Sequence, residues 1–333
     1  MNEEWKRAVI NLECANDSVH VFDQLKRMEE WTEKYIKGEF SFEEYARQSE
    51  MKSRDVRISG TALFIIHNER RYLLTARHVL FDQYSANREH QEAVARHERI
   101  HAPINKDDLN NYYQESLYRI FDIIFRVPSL DEVVAEGGFK RPEFLMNLRT
   151  GLPDFHPYTF SHPDLDLAII SLDQRNKDFA EQLIDLGYVP IPSELIVDGP
   201  SEEGAEVFTV GFPGATSFIA KMDQDPGNAH WSSSNVSLPV FSWGRVSMMH
   251  KQLPFYWCDM SIYPGNSGGP LIENGKLVGI VSAQAALPID GAPQLSARIP
   301  FGKIIKTEFV KQLLQEQEAK DKARHNFVEL GGV

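Results

Sequence analysis

The chain has 333 residues, 42% of them hydrophobic and 11% aromatic, which is enough to bury a full core without disulfide or metal staples. Its formal net charge of −13 repels nucleic-acid phosphates and anionic lipid surfaces, so neither nucleic acid nor a membrane is an expected partner. Two cysteines, Cys14 and Cys258, allow at most one disulfide. No basic start followed by an apolar leader and no apolar run of about 18 residues is present, and a cytoplasmic setting is expected.

Residues 1–55 have a helical pattern and form an N-terminal extension. Val19, Val21, Phe22, Leu25, Met28, Trp31 and Tyr35 recur near a 3.6 period, and Gly38 ends that run. Ser41-Phe42-Glu43-Glu44 has capping-box spacing and opens a second helix. From about 56 the pattern turns to short β-rich runs, 61–66 and 72–76, joined by the polar turn 67–70 as in a hairpin. Residues 82–155 are charged and helical in tone around 87–101 and 107–124. Short strands bounded by Gly and Pro then return over 166–305, and 302–326 reads as a closing amphipathic helix. Short strands in this number predict a β-barrel or sandwich.

Three stretches carry chemistry. Pro264-Gly265-Asn266-Ser267-Gly268-Gly269-Pro270 places a serine among glycines, where small neighbours let a substrate carbonyl reach backbone N–H groups. A Gly-rich turn with no chemistry is the plain alternative. His78 ends the β-run Leu74-Thr75-Ala76-Arg77, and histidine as a residue type titrates where acid–base catalysis needs it. Asp166 opens the apolar strand Leu167-Ala168-Ile169-Ile170, where a half-buried acid needs a partner such as a histidine ring.

Together these stretches resemble the trypsin-like serine peptidases, most closely the bacterial HtrA-type branch. The chain order His78, Asp166, Ser267 is the order of that superfamily. Val207-Phe208-Thr209-Val210-Gly211-Phe212-Pro213-Gly214, Trp243-Gly244-Arg245-Val246-Ser247 and the run Asp259 to Gly269 are similar to the family's strands and active-site turn, and 275–282 fits the last barrel strands. The resemblance spans roughly 56–305. It implies a mainly β fold of two six-stranded antiparallel barrels, with N-terminal helices, a helical insertion at 82–155 and a C-terminal helix over 306–333. It implies a serine endopeptidase with His78, Asp166 and Ser267 as triad and Gly265 and Ser267 as oxyanion donors. Ser261, Ala283 and Gln284 would line the specificity pocket, Ser282 would support Asp166, and the backbone of 282–284 would pair with extended peptide substrate. No cofactor or metal is expected.

The chain departs from the family in places. His78 and Asp166 lie 88 positions apart, and the surplus falls in 82–155. With 28 residues after 305, no added PDZ domain is expected. Asn266 is a neutral amide where digestive relatives carry an ion-pairing acid, so activity is expected to be set by loop ordering or a regulatory protein partner. Ser261 at the pocket base does not favour cleavage after Lys or Arg. His97-Glu98-Arg99-Ile100-His101 matches a zinc-peptidase motif, with Glu115 as a third ligand, but Arg96 and Arg99 would repel the metal and Pro103 shortens the helix. Asp223 and Asp225 match only the start of a calcium loop. A protease-like binding module without turnover is the competing function.

Overall fold

The computed structural model describes residues 2–15, 27–28, 30–49, 54–81, 87, 91, 94–95, 122–126, 143–146, 155–174, 177–214, 218–219, 231–232, 235–236 and 238–329. Helix α1 (Asn2–Ala8) runs into strand β1 (Val9–Ala15). Helix α2 (Phe42–Ser49) is closed at its start by Ser41 and Glu44: the Ser41 N–H donates to Glu44 Oε2 at 2.9 Å and the Glu44 N–H to Ser41 Oγ at 3.2 Å. Strands β2 (Arg54–His67) and β3 (Arg70–Ala76) form a hairpin whose two turn residues, Asn68 and Glu69, are left-handed at φ 47° and 63°. The single turn α3 (Arg77–Leu80) follows.

Next come β4 (Asp122–Arg126), β5 (Glu143–Met146), β6 (Tyr158–Phe160) and β7 (Leu167–Ser171), then helix α4 (Lys177–Asp185) and β8 (Ile191–Pro192). The remaining strands are β9 (Glu206–Gly211), β10 (Phe218–Ile219), β11 (Trp231–Ser232), β12 (Asn235–Val236), β13 (Val240–Met248), β14 (Phe255–Met260), β15 (Pro270–Glu273), β16 (Lys276–Ile289) and β17 (Ala292–Lys306). Helix α5 (Glu308–Glu329) ends the described chain.

The fold is mainly β, in two parts. Six strands close a barrel in the order β13-β14-β17-β16-β15-β9. The other part is a nine-stranded sheet, ordered β5-β4-β1-β2-β3-β7-β6, with β8 and β11 also on β2. Among the described residues this sheet does not close, so the expectation of two six-stranded barrels holds for the second part alone. Strands from outside the hairpin join the first part. β1 lies along β2 from Val9↔Leu63 to Ala15↔Val56, and β4 then pairs with the far edge of β1.

Val9–Ala15 was expected within a helical extension and is a strand. Ile10, Leu12 and Cys14 alternate into one core at no exposure, the period of two that a sheet requires. Two stretches of the insertion are likewise strands. Ile123-Ile124-Phe125 is a β-branched and aromatic run that needs an edge to pair with, and β1 offers one. Of the helical segments expected at 87–101 and 107–124, residues 122–124 are strand β4, and apart from 87, 91, 94 and 95 the rest lies outside the described residues, as do the zinc motif, Glu115, Asp223 and Asp225. At the far end, residues 302–306 are strand, and α5 starts at Glu308. Ile304 enters the barrel interior and Ile305 the opposite core, so this segment has two buried faces that suit a strand.

Three cores result. One lies under the first sheet, where Phe179, Ala180 and Leu183 of α4 meet Leu12, Phe64 and Ile170. One fills the space between sheet and barrel, from Trp5 and Leu63 to Phe212 and Ile305. The third fills the barrel with Val246, Tyr256, Cys258 and Ile304. Both cysteines are buried and free, and burial pushes the Cys258 thiol up to about 12. No helix among the described residues is long and apolar enough to cross a membrane.

Candidate active site

His78 and Asp166 come from adjacent ends of the first sheet. β3 delivers His78 through the turn α3, and Asp166 stands one residue before β7, which pairs with β3 from Ala76↔Leu167 onward. Asp166 is left-handed at φ 48°, a conformation aspartate tolerates better than most side chains. The bend turns its carboxylate back onto α3. Asp166 O accepts from the Arg77 N–H at 3.0 Å and Oδ1 from the His78 N–H at 3.0 Å. His78 Nδ1 lies 3.0 Å from Oδ1 and 2.9 Å from Oδ2. The barrel completes the grip, with Ser282 Oγ donating to Asp166 Oδ2 at 2.6 Å.

Ser267 sits in the turn before β15. Its hydroxyl donates to the Ser282 carbonyl at 3.1 Å. The structure therefore gathers His78, Asp166, Ser282 and Ser267 around one point, with Ser282 touching both the acid and the serine.

The backbone of this turn is pinned one carbonyl at a time. Pro264 O accepts from the Gly214 N–H and Asn266 O from the Gly269 N–H, both at 2.8 Å. An N–H points opposite to the carbonyl of its own peptide plane, so these bonds aim the Gly265 and Ser267 N–H groups away from them. Neither N–H donates to an acceptor among the described residues. Gly265 adopts φ 101°, and a Cβ there would stand 2.2 Å from Phe212 O. Only glycine fits that position.

Sequence reading missed the residue that ties the turn to the first sheet. Thr61 on β2 is fully buried. Its N–H donates to Ser267 O at 2.8 Å, and its hydroxyl donates to Gly265 O at 2.7 Å while accepting from the Phe212 N–H at 3.1 Å. Its own carbonyl accepts from Thr75 Oγ1 at 2.7 Å. Nothing in the local sequence marks this threonine, because its partners Phe212, Gly265 and Ser267 lie 151 or more positions away.

Asn266 is fully buried, and neither polar atom of its side chain has a hydrogen-bond partner among the described residues. The turn is thus held through its backbone rather than through this side chain. A cavity of about 470 Å³ is lined by three of the four gathered residues, His78, Asp166 and Ser282, together with Pro163, Phe255 and Lys303; Ser267 does not line it. Lys303 Nζ stands 4.7 Å from the Phe255 ring centre. Ala283 and Gln284 follow Ser282 along β16, and Gln284 Oε1 is buried without a donor. Ser261 is exposed just past β14 and lines no part of this cavity. Among the described residues no cluster of three His, Cys, Asp or Glu could hold a metal ion.

A barrel and a sheet that meet at a serine turn define a trypsin-like fold. The family model for the trypsin-like peptidase domain matches residues 60–280, about two thirds of the chain, and the chain belongs to that family. Over 93 residues it is 36% identical to the serine protease PepD of Mycobacterium tuberculosis, a match that covers 28% of this chain and 20% of PepD. The matched stretch thus spans about a fifth of that relative's length. Among solved structures, the inactive form of the Rv3671c protease is 12% identical with a TM-score of 0.39, covering 94% of this chain and 90% of that one. The HtrA-type protease AlgW with decapeptide is 16% identical with a TM-score of 0.43, covering 95% and 65%.

Proposed function

We propose that this chain is a serine endopeptidase acting in a reducing, intracellular compartment, with Ser267 as nucleophile, His78 as general base and Asp166 as the group that orients the imidazole. One observation supports it most. A single carboxylate, Asp166, accepts from the backbone of residue 78, from its ring at Nδ1 and from Ser282 Oγ, which fixes the imidazole in place and leaves Nε2 to take a proton. Membership of the peptidase family and two free, buried cysteines are consistent with this reading.

For attack, the Ser267 hydroxyl leaves the Ser282 carbonyl and turns to His78. Its proton passes to Nε2 as Oγ bonds to the substrate carbonyl carbon. The resulting oxyanion is met by the N–H groups of Gly265 and Ser267. The C–N bond then breaks, the imidazolium returns its proton to the leaving amine, and an acyl-enzyme remains on Ser267. Water, deprotonated by His78, hydrolyses that ester and restores the serine.

The reading of a protease-like binding module also has an observation in its favour, since Ser267 Oγ bonds to Ser282 O and not to His78. Treatment with a fluorophosphonate probe separates the two. The peptidase reading expects covalent labelling at Ser267, located by mass spectrometry and lost in Ser267→Ala. An unlabelled, folded protein that still binds peptide supports the module.

A further inference from the structure

Beside His78 and Asp166 stands a cation with no anion to answer it. Lys303 lies on β17, paired with Trp257 on β14, and two residues further along Ile305 pairs with Phe255. Residues two apart on a strand share a face. Ile305 belongs to the core between sheet and barrel, and Phe255 packs against that core. Lys303 is therefore on the barrel face that meets the first sheet, one step past the end of the core. Its ammonium stands 4.7 Å from the Phe255 ring centre. Acidic residues outnumber basic ones in the chain by 48 to 35, yet Lys303 has no carboxylate partner among the described residues.

The cavity that this lysine lines also holds two carboxylates, and neither is spent on it. Asp166 is taken up by the His78 N–H, the His78 ring and Ser282 Oγ. The Asp164 side chain is 84% exposed and lies 3.4 Å from His162 Nδ1. Phe255, Pro163 and Pro254 supply apolar wall, beside which a charge pair is screened less than on open surface. An ammonium held against an aromatic ring in such a cavity gains further from an anion brought in from outside.

We infer that Lys303 selects substrate: it receives the carboxylate of an acidic side chain two to four residues before the scissile bond. This rests on the peptidase reading and deepens it. The leaving amine must meet His78 Nε2, whereas the cavity borders Asp166 and so the Nδ1 end of the ring. The segment that reaches Lys303 is therefore the acyl side of the substrate. It is not the residue that carries the attacked carbonyl, since Ser267 does not line the cavity. An extended chain advances about 3.3 Å per residue, which puts the second to fourth residues within reach of a cavity that adjoins His78. The substrate class is a peptide with Glu or Asp ahead of the cut, its carboxylate accepting from the Lys303 ammonium and its stem lying against the Phe255 and proline wall.

The test is a series of quenched fluorescent peptides with one common cleavage sequence and Glu, Gln or Lys at the second, third or fourth position before the cut. At one of these positions Glu raises kcat/KM over Gln by about fivefold, and added salt shrinks that ratio. In Lys303→Met the ratio falls to near one, in Lys303→Arg it stays, and in Lys303→Glu the Lys peptide replaces the Glu peptide as the preferred one. Each ratio is taken within one variant, so a general loss of folded protein does not move it. The same peptides bound to full-length Ser267→Ala, followed by fluorescence anisotropy, keep the Glu-over-Gln order without turnover. Equal rates and equal binding for Glu and Gln at all three positions overturn the assignment and leave the peptidase standing. A Glu preference that survives Lys303→Met, or a Lys303→Met that moves only the pH profile of cleavage, gives the lysine another role and overturns the assignment too. Glu-ordered binding that is lost on Lys303→Met, with no cleavage or labelling by the wild type, overturns the peptidase and leaves Lys303 as the carboxylate site.

Discussion

The barrel and the first sheet each supply half of the site, and they are built on different terms. The barrel is closed, so every one of its six strands has two neighbours, and its contribution is mostly backbone: the pinned turn at 264–269 and the Ser282 carbonyl. Among the described residues the first sheet does not close, and it is gathered from distant stretches of chain. Its contribution is two side chains, His78 and Asp166, whose placement depends on what holds the sheet together. One clamp is β1. The other is α5, which crosses back from the barrel onto β6 and β7. There Asp321, almost fully buried, accepts from Ser171 Oγ at 2.7 Å and Gln317 Nε2 at 2.8 Å, with Arg70 3.7 Å away. Gln317 Oε1 in turn accepts from Thr159 Oγ1 at 2.8 Å. A closed ladder can hold a strained turn by itself, whereas an open sheet needs an external latch made of buried polar groups.

Changes at the seam between the parts separate them most strongly. Gly268 is left-handed at φ 86°, and a Cβ there would lie 2.1 Å from Thr61 O and 2.8 Å from the Ala76 nitrogen, both on the first sheet. Gly268→Ala therefore pushes the barrel off the sheet and costs about 3 kcal/mol or more, read from the midpoint of urea unfolding. A midpoint equal to the wild type's would mean that the two parts are not in such close register.

Thr61→Val keeps shape and removes one hydroxyl. Gly265 O and the Phe212 N–H are then buried without partners, at about 1–3 kcal/mol each. Labelling of Ser267 should slow by more than the stability loss explains, because the turn and not the core is affected. Equal behaviour of Thr61→Val and wild type would show that the barrel holds its turn unaided.

The smallest effect concerns the latch. Burial raises the Asp321 carboxyl above its ordinary value, against the opposing pull of its donors Gln317 and Ser171 and of Arg70. The folded state then binds the proton more readily than the unfolded chain. This group's contribution to stability is full below the unfolded carboxylate value and is lost as pH rises through the raised one. Chemical denaturation across the weakly acidic range should show wild-type stability falling with pH by up to about 1.4 kcal/mol per pH unit for one proton, with a flatter profile in Asp321→Asn. An unchanged slope would place the pH dependence elsewhere.

Much of the site was legible before the fold was known. Ser267, His78 and Asp166 each stand in a local pattern that the proposed chemistry requires, and Ser282, expected beside Asp166, lies 2.6 Å from it. What escaped was whatever depends on a distant partner. The strand nature of Val9–Ala15 depends on the edge of β2. That of Asp122–Arg126 depends on β1, and the length of β16 beyond Ser282 depends on β17.

The sequence by itself determined the features that rest on neighbouring residues: a glycine turn around a serine, an acid opening a buried strand, a hairpin reversed at Asn68-Glu69, and membership of the peptidase family through motifs in fixed order. Only the tertiary structure decided that the first sheet does not close among the described residues, that α5 latches it through Asp321, that Thr61 holds the serine turn, and that β16 runs on past Ser282 beside β17. The reason is physical. Backbone conformation and short-range polarity follow from residues a few positions apart, while pairing edges and buried hydrogen bonds exist only once segments as much as 249 positions apart have met.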